Sequence, residues 1–344
     1  MSKKTLRTIE SLAKNQFVSP ADIVELEQVA EHFSVAITPQ MQRLIDKSNP
    51  NDPIAKQFIP DVKELIHASN ENPDPIGDAV HTKIKGIVHR YPDRCLFMPV
   101  HVCPVYCRFC FRKEKVGMSE QTLTPTEIDA AFSYIAEHKE IWEVILTGGD
   151  PFILKPAILK KLLQRLSAIK HVEIIRIHSR VPMVDSLRIN DSMISALKCA
   201  KPVYVMIHAN HPTEFTPEAV EACARLVDAG IPLLSQTVLL KDINDNIETL
   251  SQLMRCFVKN RIKPYYLHHG DLALGTGHFR TSIEKGQELA KQLRRFSGLC
   301  QPTYVLDIPG GHGKSPIHAS YISVDEKSNC YQVEDYQGKS HCYK

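Results

Sequence analysis

Several things are scarce or missing in this sequence. It has one tryptophan in 344 residues, and no run approaches the ~18 uninterrupted apolar residues of a membrane span. Neither sign of charge dominates. The 42 Lys and Arg face 39 Asp and Glu, and the net +3 is spread along the chain, which excludes broad, nonspecific nucleic-acid binding. The polar start, Met1-Ser-Lys-Lys-Thr-Leu-Arg, has no apolar leader core, so a cytoplasmic protein without a membrane partner is expected. Compositional bias is absent too: 43% apolar and 24% charged residues exclude disorder and collagen-like repetition. The length allows roughly two domains, or one α/β barrel.

Cysteine is not scarce, but its ten residues do not form a disulfide framework. A chain this long buries a core without staples. Seven cysteines are scattered (Cys95, Cys199, Cys223, Cys256, Cys300, Cys330 and Cys342) and three are clustered.

Residues 1–90 read as a polar N-terminal helical region. Ser19-Pro20 is a cap and first-turn pair, and apolar residues follow at helical spacing from Ile23 to Phe33. No chemistry is visible there, and the region reads as a cap or interaction layer. From about residue 95 short apolar runs alternate with helical patterns: Cys95–Val100, Val144–Thr147, Ile174–His178, Val203–His208, Leu233–Val238, Tyr265–His268 and Tyr304–Leu306. Their spacing suits βα units, and runs apolar almost throughout suit a parallel sheet covered on both faces. Thr124-Pro125-Thr126-Glu127 and Thr216-Pro217-Glu218 open two of the intervening helices. Six repeats and a closing strand predict an α/β fold, a complete or partial barrel, with a doubly wound sheet as the other topology. The core is expected over 91–307, and residues 308–344 carry a glycine loop and a short C-terminal extension.

Barrel sites gather at the C-terminal ends of strands. Directly after the first run comes Cys103-Pro-Val-Tyr-Cys107-Arg-Phe-Cys110, a C-x3-C-x2-C triad. Three thiolates hold three irons of a [4Fe–4S] cluster and leave one corner open for a ligand. A closed zinc site wants four ligands, and only His101 is near enough to supply a fourth. After the second run stands Thr147-Gly148-Gly149-Asp150, a weak signal alone. Near the end, Asp307-Ile-Pro-Gly310-Gly311-His-Gly313-Lys314-Ser315-Pro316 presents one lysine on a glycine loop. It fails the phosphate-loop pattern because Ile308 stands where that pattern needs glycine. Such a lysine can form a Schiff base with pyridoxal phosphate.

The cysteine triad with Phe109 in its aromatic position resembles the radical S-adenosylmethionine (SAM) superfamily. From about His89 to Ile317 the chain resembles the lysine 2,3-aminomutase family. The shared segments are His89 to Arg94, the cysteine loop with Arg112, Arg176 to Pro182, Ser235 to Lys241, Pro264 to Arg280 and the lysine loop. The resemblance implies a partial (β/α)6 radical SAM barrel and radical migration of the α-amino group of L-lysine to C3. Cys103, Cys107 and Cys110 would hold the cluster, with Gly148, Gly149, Asp150 and Gln236 toward SAM. Lys314 would hold pyridoxal phosphate, with Arg90 and Arg94 on its phosphate. Arg112 would grip the substrate carboxylate, and Asp271 and Asp307 its distal ammonium. An electron donor such as flavodoxin or ferredoxin, and a possible homo-oligomer, also follow.

The short C-terminal extension, with Asn246 where fermentative relatives carry a cysteine, leads us to expect no structural zinc. That short form also resembles the enzyme that makes β-lysine for elongation factor P. Another amino acid as substrate, or a tRNA-modifying radical SAM enzyme, are the alternatives. The last would need a basic surface that the net charge does not show.

Overall fold

The computed structural model describes residues 4–325 and 330–343. Ten strands form one sheet in chain order: β1 (Thr82–Ile84), β2 (Ile87–Tyr91), β3 (Arg94–Val100), β4 (Glu143–Gly148), β5 (Ile174–Ser179), β6 (Val203–His208), β7 (Leu233–Val238), β8 (Ile262–His268), β9 (Thr303–Ile308) and β10 (Gly313–Pro316). Strands β3 to β9 are all parallel, and each apolar run read from the sequence is one of them. β1 and β2 add antiparallel strands before β3, and β10 folds back antiparallel on β9. Residues assigned from sequence to the N-terminal region and to the lysine loop are therefore hydrogen-bonded into the barrel sheet.

Helices Pro125–Glu137, Pro156–Ala168, Asp191–Leu197, Pro217–Asp228, Ile247–Lys259 and Ile283–Leu293 follow β3 to β8 in turn. Strand order equals chain order, so the sheet has no reversal point. It is a partial (β/α)6 barrel with a closing strand, not a doubly wound sheet. The helix starts work as capping chemistry dictates: Thr124 Oγ1 accepts from the Glu127 N–H, and Glu127 Oε2 accepts from the Thr124 N–H at 2.8 Å.

The strands are less uniformly apolar than the runs suggested. On β5 the fully buried Ile175 and Ile177 alternate with half-buried Arg176 and His178. The apolar set packs with helix residues such as Leu159, Leu163 and Leu226, while the other set includes His178, which meets His208 of β6 edge-on.

Among the described residues the sheet does not close on itself, because β1 and β10 have no strand partner there on their outer edges. Loops close the gap. His81 Nε2 is 2.8 Å from the Gly311 carbonyl oxygen, and the Lys314 N–H donates to Tyr91 Oη at 2.8 Å. The backbones meet so tightly that a Cβ on Gly77 would lie 2.2 Å from Gly311 N, which only glycine tolerates. A separate three-stranded sheet, β11 (Ile322–Asp325), β12 (Cys330–Glu334) and β13 (Ser340–Tyr343), follows. Short N-terminal helices add Ile9, Leu12 and Met41 to the barrel's own core.

Candidate active site

The cysteine loop leaves β3 at the C-terminal end of the barrel. Cys103, Cys107 and Cys110 are free thiols that line one small cavity of about 40 Å³ together with Ser34, Tyr106 and Lys113. Burial raises all three pKa values, to about 11 for Cys110; the Arg180 guanidinium opposes this at Cys107, to which Arg180 Nη1 donates at 3.3 Å. Among the described residues no three His, Cys, Asp or Glu side chains converge on a single ion. Three thiolates leave a closed tetrahedral zinc site one ligand short, so the loop fits a cluster better than such a site.

Two buried ion networks brace this loop, and both draw on the region where sequence reading saw no chemistry. Glu64, fully buried, accepts from Arg108 Nη2 at 2.6 Å and from Lys113 Nζ at 2.7 Å. Arg180 Nη2 donates to Gln57 Oε1 at 2.6 Å and to Glu214 Oε2 at 2.7 Å.

Gly148 and Gly149 turn the end of β4 against the same loop. A Cβ on Gly149 would lie 2.4 Å from the Val102 carbonyl oxygen. The Asp150 carboxylate is engaged inside the protein: it accepts from Ser179 Oγ and from the backbone N–H of Phe152, Arg180 and Val181. Its part is to fix the ends of β4 and β5. Gln236 sits on β7, in register with His208 and Tyr266.

A chain of direct contacts then leads from the cysteine loop to the lysine. Arg112, two residues after Cys110, donates through Nη2 to Asp78 Oδ2 at 2.6 Å. Asp78 Oδ1 accepts from Arg90 Nη2 at 3.0 Å, and Arg90 Nη1 lies 3.7 Å from Asp307 Oδ1. Asp307 on β9 pairs in register with Lys314 on β10, and its two oxygens accept from Lys314 Nζ at 2.8 and 2.7 Å. Burial works against the Asp307 carboxylate, yet His268 and Lys314 hold it well below the usual range.

Asp271 is the opposite case. Burial and the Asp307 charge push it up to about 7, against Lys314 and Arg112, and its Oδ1 is buried without a partner. Arg94 is not in this group. It starts β3, at the end of the barrel away from the cysteine loop, bonded to Asp93 at 2.6 Å and stacked 3.8 Å over the Tyr91 ring. Its guanidinium stacks on Tyr91, whose hydroxyl holds the Lys314 N–H.

Buried polar atoms without partners show what the barrel interior is built to receive. Nε2 of His178, His208 and His268 is unpartnered, as are Arg90 Nε and Asp271 Oδ1. Burial keeps these imidazoles neutral, with His208 lowered to about 3. Neutral imidazoles, arginines, one lysine and an unpaired acid together suit a zwitterionic, phosphate-bearing set of ligands.

Asp78, Glu64, Gln57, Tyr91 and Arg180 had no role in the sequence reading. Tyr91 and Arg180 at least fall within the resembling segments. The N-terminal acids give no local signal, because their partners lie far along the chain.

An open parallel barrel with a C-x3-C-x2-C loop at its mouth defines a radical SAM protein, and residues 98–254 match the Radical SAM superfamily. The chain is 39% identical to the L-lysine 2,3-aminomutase of Acetoanaerobium sticklandii, over 98% of this chain and 81% of that protein. It is 39% identical to the L-lysine 2,3-aminomutase of Clostridium subterminale, over 93% of this chain and 77% of the relative. The glutamate 2,3-aminomutase of Clostridioides difficile is 35% identical, over 96% of this chain and 78% of its own. The chain belongs to the lysine 2,3-aminomutase family. It is an aminomutase, an isomerase whose cofactors are a [4Fe–4S] cluster, SAM and pyridoxal phosphate. No helix among the described residues is long and apolar enough to cross a membrane.

Proposed function

We propose that the protein is an L-lysine 2,3-aminomutase that moves the α-amino group of L-lysine to C3, giving β-lysine. The observation that carries this reading is Asp271, a buried carboxyl with an unpartnered oxygen beside the Asp307–Lys314 pair. Two acids side by side need a cation between them, and the distal ammonium of lysine supplies one, where the carboxylate of glutamate would add repulsion. Arg112 grips the α-carboxylate by a charge-assisted pair, so the two ends of the substrate are held by opposite charges.

The remaining residues position the cofactors. Cys103, Cys107 and Cys110 hold the cluster; Gly148, Gly149 and Gln236 line the SAM side, with Asp150 bracing that turn from within. Lys314 binds pyridoxal phosphate, Arg90 takes its phosphate, and Arg94 acts through Tyr91. When bound, the cluster and SAM supply a carbon radical and pyridoxal phosphate carries the migrating nitrogen. The barrel orients the substrate and keeps out water, which strengthens each ionic contact.

The test is anaerobic reconstitution with iron, sulfide, pyridoxal phosphate, SAM and a reductant. Lysine, glutamate, arginine and ornithine are then offered, and products read by amino-acid analysis. β-Lysine should form, and Lys314→Ala should lose both turnover and the cofactor's absorbance band. Turnover of glutamate without lysine would overturn the substrate assignment.

A further inference from the structure

One carboxylate holds both arginines assigned to anions. Arg90 comes from β2 and Arg112 from the cysteine loop, yet Asp78 binds the first through Oδ1 and the second through Oδ2, which accepts from Nε at 3.0 Å and Nη2 at 2.6 Å. The backbone that presents Asp78 is fixed without help from this side chain. The Asp74 carboxylate accepts from the N–H of Asp78 and of Ala79, each at 2.8 Å, and Thr82 Oγ1 donates to the Asp78 carbonyl at 2.8 Å. Asp307 stands to Lys314 as Asp78 stands to the arginines. The cations of the site are thus met by the chain's own acids, while Arg90 Nε stays buried and unsatisfied.

We propose that Asp78 is a built-in competitor, an internal anion that occupies the guanidinium faces of Arg90 and Arg112 until an external phosphate or carboxylate displaces it. The proposal rests on the reading that Arg90 takes the cofactor phosphate and Arg112 the substrate carboxylate. Without Asp78 these two largely buried guanidiniums would keep only the longer Arg90–Asp307 contact at 3.7 Å, which would destabilise the protein, and Asp78 prevents that. The same charge weakens the binding of incoming anions twice, by repelling them and by filling the donors they need. A carboxylate that only oriented the arginines would have the opposite effect, because its removal would loosen the site and weaken binding. The direction of the change therefore separates the two roles. Asp78 also lies on the segment that seals the open side of the barrel against Gly311, so its displacement acts where Lys314 is held.

The test uses the full ligand-free chain and Asp78→Asn, which keeps the shape and removes the charge. Thermal unfolding is followed while inorganic phosphate is titrated, and pyridoxal phosphate binding is read by absorbance. Without phosphate the variant should melt below the parent. Phosphate should restore it, with half-saturation at a concentration about tenfold lower than the parent requires, and pyridoxal phosphate should bind correspondingly tighter. Unchanged or weakened phosphate binding in Asp78→Asn overturns the proposal. Arg90→Gln is the control for the underlying reading and should abolish the phosphate response. If that response survives in Arg90→Gln, the assignment of the cofactor phosphate has failed and the competitor role falls with it. If Arg90→Gln behaves as expected and Asp78→Asn does not, only the competitor role fails.

Discussion

Replacing Asp271 by asparagine should stabilise the ligand-free protein and impair the enzyme, and the structure gives a size to both effects. Folded Asp271 releases its proton near 7 rather than near 3.8, because burial and the Asp307 charge disfavour the carboxylate. Between those pH values the folded protein keeps a proton that the unfolded chain has lost. Stability therefore falls as pH rises from about 4 to about 7, by at most ~4 kcal/mol at ~1.36 kcal/mol per pH unit. Asparagine cannot ionise, so the variant's advantage should be small near pH 4 and largest above pH 7. Activity runs the other way, since the lysine ammonium needs the ionised acid. In the parent, kcat/KM for lysine should drop toward a tenfold loss per pH unit below about 7. In Asp271→Asn that limb should vanish, and kcat/KM above pH 7 should fall roughly thirty-fold or more, the equivalent of ~2 kcal/mol for an ion pair broken in a buried site. Thermal unfolding at pH 5 and pH 8, with anaerobic initial rates between pH 6 and 9, measures both. A variant no more stable than the parent at pH 8, or one that turns over lysine with the parent's pH profile, would refute the reasoning.

Other substitutions probe the scaffold. Glu64→Gln leaves Arg108 and Lys113 without their shared buried counter-charge and should cost about 3–5 kcal/mol in denaturant unfolding, with iron uptake reduced. Gly149→Ala drives a Cβ into the Val102 carbonyl, so reconstituted iron per chain should fall while lysine-loop absorbance survives. Tyr91→Phe removes the hydroxyl that holds the Lys314 N–H, worth about 1 kcal/mol, and should speed the loss of pyridoxal phosphate on dialysis without altering iron content.

The strands and helices were legible because their signals are local: an apolar run, a Thr-Pro-x-Glu start, a glycine stop. The choice between barrel and doubly wound sheet was not local, and it fell to the order of strand pairing. The chemistry-bearing loops were legible for the same reason as the helices, since Cys103 to Cys110 and Gly310 to Lys314 are compact in sequence. Asp78 was invisible because its partners Arg90 and Arg112 lie 12 and 34 residues away, and a lone acid among breakers looks like a turn. The resemblance puts the Gly148-Gly149-Asp150 turn toward SAM, but the four donors that surround the Asp150 carboxylate come from the fold and no pattern reveals them. Arg94 and Arg90 look equivalent in sequence, but the hairpin that joins β2 to β3 points them to different depths.

The seam between His81 and Gly311 joins segments 230 residues apart in the chain. Bringing such distant stretches together carries a large entropic cost, so this junction belongs among the late events of folding. A nascent chain on the ribosome can form its first βα units, yet it cannot bring Tyr91 to residue 314 until synthesis has passed the last helix. Assembly of the amine pocket thus reports that every preceding repeat is in place, and a chain damaged midway would be left unable to hold its vitamin.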